Sequence, residues 1–294
     1  MTSMAVPYGL MLVAAVIYAV GALLVKRASD LGVGVWRTAF VANITAALIF
    51  QPLLFFGGTI HPELWWQPVV AACCFVGGQW LTYMSLQYGD VSVATPVLGI
   101  KIILVAVLVT TWSGQALSGS LWLAALLATA GIALLNKQSG KVAHHHVLGT
   151  VATAGLAAVA YATFDVLAQQ WAPRWGIGRF LPITLGLAAL LSLGFIPRFK
   201  EPLSALPRTT WLWLLAGTLT IGSQSMVFVT SVSYWGHAAP LNVLYSSRGL
   251  WTVVLVWLVG HWVQSREQQR GRQVLGWRLA GAALMLSAIV LVVG

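Results

Sequence analysis

Charged residues are scarce in this sequence. Aspartate, glutamate, lysine and arginine together make up 7% of the 294 residues, whereas hydrophobic residues make up 59% and the mean hydropathy is +0.85. A soluble domain carries roughly 25% charged residues, because its surface must be hydrated. The composition therefore excludes a soluble globular domain and indicates a protein whose solvent is the lipid bilayer.

Cysteines and catalytic motifs are also few or missing. Cys73 and Cys74 are adjacent within an apolar run, which excludes a disulfide framework and argues against a metal site. The sequence contains no P-loop, no HExxH, no nucleophile elbow and no paired glycosidase carboxylates. We therefore expect no enzyme activity, no catalytic residues, no ATP-driven pumping, no cofactor and no bound metal. His144–His146 are interpreted as a solvated linker.

Positive charge is in excess, with a net charge of +10. The cations lie between long apolar runs rather than on one face, which is typical of anchors at a membrane surface and not of a nucleic-acid interface. The first apolar stretch lacks a basic leader, which predicts no cleavable signal peptide. The expected partners are the lipid bilayer and a small-molecule substrate, with no nucleic acid.

Long apolar runs separated by glycine, proline or charge fill the chain. A span needs about 20 apolar residues at about 1.5 Å each, and backbone groups in lipid must hydrogen-bond within their own segment, so the runs are predicted to be helices. The ten predicted spans are 7–25, 36–56, 67–87, 91–112, 119–136, 148–171, 179–196, 209–233, 239–262 and 274–293.

The second half of the sequence resembles the first. A shift of 143 residues places Tyr161 on Tyr18, and a shift of 144 residues places 238–240 on 94–96. These matches predict two five-helix repeats, residues 1–143 and 144–294, which must have opposite orientation because five is odd. The predicted fold is an all-α membrane protein of ten transmembrane helices, arranged as two inverted repeats around a central cavity.

Short motifs carry a resemblance to a known family. The sequence GDVSVATP at 89–96, GIALL at 131–135 and the small residues Gly281 and Ala288 resemble the drug/metabolite transporter superfamily in its ten-helix EamA-like form. The resemblance implies a basket of helices whose central cavity opens to one side at a time. It does not indicate the substrate.

One departure from related proteins excludes a mechanism. In the small multidrug resistance proteins, a glutamate of the first helix binds cationic drugs and protons, and the resemblance places that position on Tyr18, counted back from Lys26. Its counterpart in the second half is Tyr161. Cation/proton antiport through that glutamate is therefore not available. Those proteins need two chains for one cavity, whereas both halves are present here, so a monomer is expected to suffice.

Three ionisable residues lie well inside predicted spans. Lys101 follows Pro96 in the fourth helix, Arg248 follows Pro240 in the ninth, and Asp165 lies in the sixth. A charge at a helix centre costs about 2.5–3.5 kcal/mol on insertion scales, so it should face the bundle interior. We interpret the two cations as a grip for an anionic group of the substrate, and Asp165 as a candidate for proton coupling. The alternative is that Asp165 pairs with one of them as a structural clamp.

Polar and aromatic side chains at helical spacing complete the candidate binding site. Interhelical hydrogen bonding or packing is the alternative interpretation for each of them. The further candidates for substrate binding are Tyr18, Gln79, Trp80, Tyr83, Tyr161, Gln224 and Tyr245.

The expected function is secondary transport of a small organic metabolite by alternating access, in the cell membrane (inner or plasma). A solute with a carboxylate or phosphate suits the surplus positive charge, and amino-acid-like solutes are favoured by analogy with EamA-like exporters. The alternatives are a multidrug or nucleoside-like carrier with an aromatic cavity, and a lipid flippase component whose cations hold a headgroup phosphate. A membrane enzyme would need convergent catalytic residues at one depth, and the sequence offers none.

The distribution of cations predicts the membrane orientation. The 1–2, 5–6, 7–8 and 9–10 connections hold twelve cations, namely Lys26, Arg27, Arg37, Lys137, Lys141, Arg198, Lys200, Arg208, Arg266, Arg270, Arg272 and Arg278. The opposite side holds Arg174 and Arg179. The positive-inside rule therefore places those four connections in the cytoplasm and both termini outside, although EamA-like proteins usually keep both termini inside. A C-terminal reporter that is active only in the cytoplasm should stay silent, and a signal from it would contradict this orientation.

Overall fold

The computed structural model describes residues 4–88, 91–136, 147–259 and 272–294, and their regular structure consists of α-helices and short 3-10 turns. Several features of the sequence lie outside these residues: Gly89 and Asp90 of the family motif, the histidines 144–146, the repeat boundary at 143/144, and the cations Lys137, Lys141, Arg266 and Arg270.

Over the described residues, each predicted span coincides with one helix or with two consecutive helices, and residues 260–262 of the ninth span lie outside the described ranges. Twelve helices are described: α1 (Ala5–Asp30), α2 (Val35–Phe50), α3 (Trp66–Tyr88), α4 (Val91–Gly99), α5 (Lys101–Trp112), α6 (Gly119–Leu135), α7 (Val147–Trp175), α8 (Ile177–Leu191), α9 (Arg208–Trp235), α10 (Ala238–Tyr245), α11 (Arg248–Val259) and α12 (Arg272–Val293).

Seven helical stretches in the described ranges are long and apolar enough to cross a membrane. They are Ala5–Asp30, Val35–Phe56, Val93–Trp112, Val147–Trp175, Ile177–Arg198, Arg208–Trp235 and Gly276–Val293. The apolar helix α6 is shorter. The described ranges are therefore helical, and the protein is a multi-pass membrane protein, as the sequence predicts; seven of the ten predicted spans meet this criterion of length and composition.

The fourth and ninth predicted spans are each interrupted near the middle. Ile100 separates α4 from α5, and its N–H bonds the carbonyl three residues back at 3.1 Å, a tighter pattern than the α-helix. Ser246 and Ser247 separate α10 from α11 in the same way. As a result, each downstream helix begins with a cation, Lys101 in α5 and Arg248 in α11.

Side-chain donors bond carbonyl groups beside both interruptions. The hydroxyl of Thr129 on α6 donates to the carbonyl of Gly99 at 3.4 Å, and the hydroxyl of Ser246 donates to the carbonyl of Val243 at 2.6 Å. Backbone groups without partners are costly inside a membrane, so these bonds help to make the two irregular turns tolerable there.

Helices α6 and α12 pack closely through two glycines. A Cβ atom added to Gly131 would lie 2.9 Å from the carbonyl oxygen of Gly281, and one added to Gly281 would lie 2.8 Å from that of Gly131. Small residues let two backbones approach where lipid supplies little hydrophobic driving force for helix association. The two positions therefore form one reciprocal contact.

Contacts between the connections define two ends of the bundle. We call one end of the bundle the cationic end. There Arg37, at the start of α2, forms an ion pair of 3.7 Å with Glu201, which follows α8. At the end we call the glutamine end, defined by Gln115, Gln169 and Gln170, the amide of Gln170 donates to Ser113 at 2.8 Å. The N–H of Thr59 bonds the carbonyl of Trp175 at 2.9 Å, which brings the α2–α3 connection against the end of α7.

Candidate functional site

Lys101 and Asp165 form a buried ion pair. The side chain of Asp165 is 3% exposed, and its Oδ2 lies 2.7 Å from the Nζ of Lys101. The same oxygen accepts a hydrogen bond from the Nδ2 of Asn242 at 2.8 Å. One carboxylate oxygen on α7 therefore holds both α5 and α10 through charge-assisted bonds.

A second acceptor on α7 holds the start of α10. Gln169 lies one turn after Asp165, and its Oε1 accepts from the backbone N–H of Ala238 at 2.8 Å. Ala238 begins α10, so its N–H has no partner within its own helix. The Nε2 of Gln169 donates in turn to Gln115 at 3.3 Å. We call the bonds from Asp165 and Gln169 to α10 the α10 latch.

Arg248 has a different environment from Lys101. Its Cζ lies 4.6 Å from the ring centroid of Tyr18 and 4.5 Å from that of Tyr245. The described ranges contain four carboxylates, those of Asp30, Glu63, Asp165 and Glu201, and Arg248 forms no ion pair with any of them. Aromatic faces attract a guanidinium group but carry no net charge, so its positive charge is not neutralised by these groups.

Aromatic rings connect the two cations. The Nζ of Lys101 lies 5.4 Å from the ring centroid of Phe228 and 5.9 Å from that of Tyr161. The rings of Phe228 and Tyr245 are 4.6 Å apart, and Tyr245 packs edge-on against Tyr18 at 6.1 Å. Sequence reasoning missed Phe228, although it lies one turn after the candidate Gln224 on α9.

Two cavities lie along α10. The smaller, of about 30 Å³, lies between the two helix interruptions and is lined by Gly99, Lys101, Asn242, Ser246 and Arg248, among others. It has room for a water molecule, whereas metabolite sites usually measure about 300–1,000 Å³. The central site is therefore closed around its cations.

The larger cavity, of about 410 Å³, lies at the glutamine end. Its lining includes Gln115 and Ser118 from the α5–α6 connection, and His237 and Pro240 from the start of α10. The two cavities border different stretches of α10, the helix that the α10 latch holds.

The structure brings six of the ten candidate residues together: Tyr18, Lys101, Tyr161, Asp165, Tyr245 and Arg248. Gln79 instead exchanges two hydrogen bonds with Asn43 on α2, at 2.8 and 2.9 Å. This is the interhelical bonding expected from the alternative interpretation.

The other three candidates lie outside the central cluster. Trp80 is 41% exposed, and its ring lies 5.5 Å from the guanidinium carbon of Arg198. Tyr83 packs edge-on against Trp36 at 5.9 Å. Gln224 is buried in α9.

Comparison with known proteins supports the resemblance to a transporter family. Residues 6–137 match the EamA-like transporter family, which confirms the resemblance to the drug/metabolite transporter superfamily and indicates a membrane transporter. No functionally curated protein matches the sequence. A solved structure described only as "Crystal structure of protein" superposes with a TM-score of 0.72 at 16% identity, over 98% of this chain and 96% of that one. At this identity the likeness shows the fold alone.

The ion pair predicts how the bundle responds to loss of charge. Lys101→Met should lower the free energy of unfolding by about 3–5 kcal/mol, because it leaves the carboxylate of Asp165 buried without its cation. Lys101→Met/Asp165→Asn should recover most of that loss. Arg248→Gln should leave the melting temperature unchanged or raise it, since it leaves no described carboxylate unpaired. Thermal unfolding of the purified variants measures these effects, and a double variant as unstable as Lys101→Met would show that the pair is not structural.

Proposed function

We propose that this chain, a member of the EamA-like transporter family through residues 6–137, is a secondary transporter that carries a small organic anion across the cell membrane by alternating access. The observation that carries the proposal is Arg248, an arginine without a described carboxylate partner, which lines a closed central cavity together with Lys101. A guanidinium group can bind a carboxylate through two parallel hydrogen bonds, so a carboxylate-bearing solute suits it.

The architecture we propose is two inverted repeats of five spans, residues 1–143 and 144–294, around a central cavity. We number the spans in chain order, with α4–α5 as the fourth span and α10–α11 as the ninth. The first span (α1) packs against the eighth (α9), and the third span (α3) packs against the sixth (α7). If each span is replaced by its counterpart in the other repeat, the first by the sixth and the eighth by the third, one of these pairs becomes the other. The pair of α6 and α12, the fifth and tenth spans, converts into itself. This pairing supports the inverted repeat.

The mechanism we propose uses α10 as the gate at the glutamine end. In the closed arrangement, Gln169 holds the first residue of α10 and Asp165 holds Asn242 one turn later. Release of both bonds would let α10 move away from α7 and join the 410 Å³ cavity to the central one. Asp165 is also our candidate for proton coupling, because a proton on its carboxylate would weaken its bond to Lys101.

The transporter is proposed to act as a monomer in the bilayer of the inner or plasma membrane. Arg248, the pair of Lys101 and Asp165, and the aromatic rings around them come from one chain. The function proposed here requires no second chain, cofactor or nucleic acid.

A carrier of uncharged aromatic compounds is the second candidate. The rings of Tyr18, Tyr161, Phe228 and Tyr245 around the two cations favour it. Such a carrier gains its affinity from stacking and apolar burial, so it would keep its substrate after the charge of Arg248 is removed.

Substitution of Arg248 separates the two candidates. In nanodiscs with one chain per disc, a small carboxylate found by thermal shift should no longer bind to Arg248→Gln. Proteoliposome uptake of that carboxylate should be lost as well, because the group that opposes its charge is gone. Arg248→Lys should bind more weakly, because an ammonium group lacks the planar fork. If Arg248→Gln keeps both binding and uptake, the proposed binding of a substrate carboxylate by Arg248 is wrong and the carrier of uncharged aromatic compounds is favoured.

The gate can be tested by accessibility. In a background without Cys73 and Cys74, Ser246→Cys places a thiol at the central cavity. Gln169→Ala should speed its labelling by a membrane-impermeant reagent added at the glutamine end, by up to about tenfold, since a net hydrogen bond contributes about 0.5–1.5 kcal/mol. Gln170→Ala is the matched control, because Gln170 bonds Ser113 and not α10. Equal labelling rates in the two variants would rule out the α10 latch as the gate.

A further inference from the structure

We infer that Asp165 determines substrate specificity by setting the net charge of the solute that the central site accepts. It neutralises Lys101, so the site accepts a solute with one net negative charge, such as a monocarboxylate without an ammonium group. The inference rests on the proposed anion transport and adds the charge class of the substrate.

The charges of the central site are unequal in number. The carboxylate of Asp165 lies 2.7 Å from Lys101 and is 3% exposed, so the charges of this pair compensate each other. The charge of Arg248 faces the rings of Tyr18 and Tyr245 at 4.6 and 4.5 Å. Among the described residues of the site, two cations against one carboxylate leave one surplus positive charge, and the small cavity is lined by both cations.

A closed site makes this surplus decisive. In water, an unmatched charge on a bound solute would be screened, but a narrow site that is mostly buried in protein has few groups that can compensate it. A solute with one net negative charge leaves the occupied site neutral. A zwitterion leaves the charge of Arg248 uncompensated, and a dianion adds a negative charge without a partner. The geometry therefore disfavours both zwitterionic amino acids and dianions.

The role of Asp165 can be separated from its hydrogen bond. In Asp165→Asn, the amide oxygen still offers an acceptor to Asn242, whereas the charge that neutralises Lys101 is removed. The surplus then rises to two positive charges, which a dianion matches. In Asn242→Ala, the hydrogen bond is lost but every charge stays, so the charge preference should persist whatever happens to affinity.

Three compounds with the same carbon chain probe the charge directly. Glutamine is a zwitterion, glutaramate is the same amide without the ammonium group, and glutarate is the dianion with a carboxylate in place of the amide. Affinities for the purified full-length chain in nanodiscs are measured for each compound. The wild-type protein should bind glutaramate at least about tenfold more tightly than glutamine or glutarate, a difference of about 1.4 kcal/mol.

The variants are expected to move this preference in opposite directions. Asp165→Asn should shift the ratio of glutarate to glutaramate affinity by about tenfold or more toward glutarate. Lys101→Met/Asp165→Asn restores the single surplus charge and should again prefer glutaramate. This double variant also provides the test if Asp165→Asn does not fold, because replacing a buried pair with uncharged groups is usually tolerated.

The outcomes distinguish this inference from the proposed function. If the wild-type protein binds neither glutaramate nor glutarate, nor any carboxylate in the thermal-shift screen, the anion transporter fails and the inference fails with it. If it binds them but Asp165→Asn leaves their ratio unchanged, only the inference is overturned. The inference is also overturned if the double variant binds no monoanion, because Lys101 would then be a direct ligand rather than a neutralised cation.

Discussion

The oxygen Oδ2 of Asp165 connects three helices at the centre of the molecule. Lys101 from α5 and Asn242 from α10 both reach it from opposite halves of the sequence. A carboxylate that is 3% exposed would be strongly destabilising without a cation, so the pairing constrains how these helices can lie against α7. The small cavity lies next to this contact, since Lys101 and Asn242 both line it together with Arg248.

The helical framework could be predicted from the sequence, because apolar length alone determines where a chain can cross a bilayer. The two mid-span interruptions could not. Gly99 and Lys101 flank Ile100 but no polar linker marks a break in 91–112, and the carbonyl groups beside the turns find their donors in Thr129 on α6 and in Ser246. Such bonds depend on tertiary contacts that no local pattern records.

The candidate site was predicted in its ionisable residues and less well in its neutral ones. A charge inside a span must face other protein groups, so Lys101, Asp165 and Arg248 could be placed inside the bundle without a structure. The pairing of Asp165 with Lys101 rather than Arg248 depends on helix packing.

The neutral candidates show the same limit. Gln79 and Trp80 are consecutive on α3, so their side chains point in different directions, one to Asn43 and the other towards Arg198. Phe228 was missed because one phenylalanine in an apolar helix carries no signal until the cation 5.4 Å away is known.

The reciprocal contact of Gly131 and Gly281 has a mechanical consequence. Each backbone lies where a single methyl group on the other would meet a carbonyl oxygen at under 3 Å, so α6 and α12 cannot slide past one another without a collision. Rotation about the point of closest approach remains free of that obstacle. The contact therefore restricts sliding of α6 along α12 more than rotation of one helix about the other, and it does so next to Ile132, which lines the small cavity with both cations.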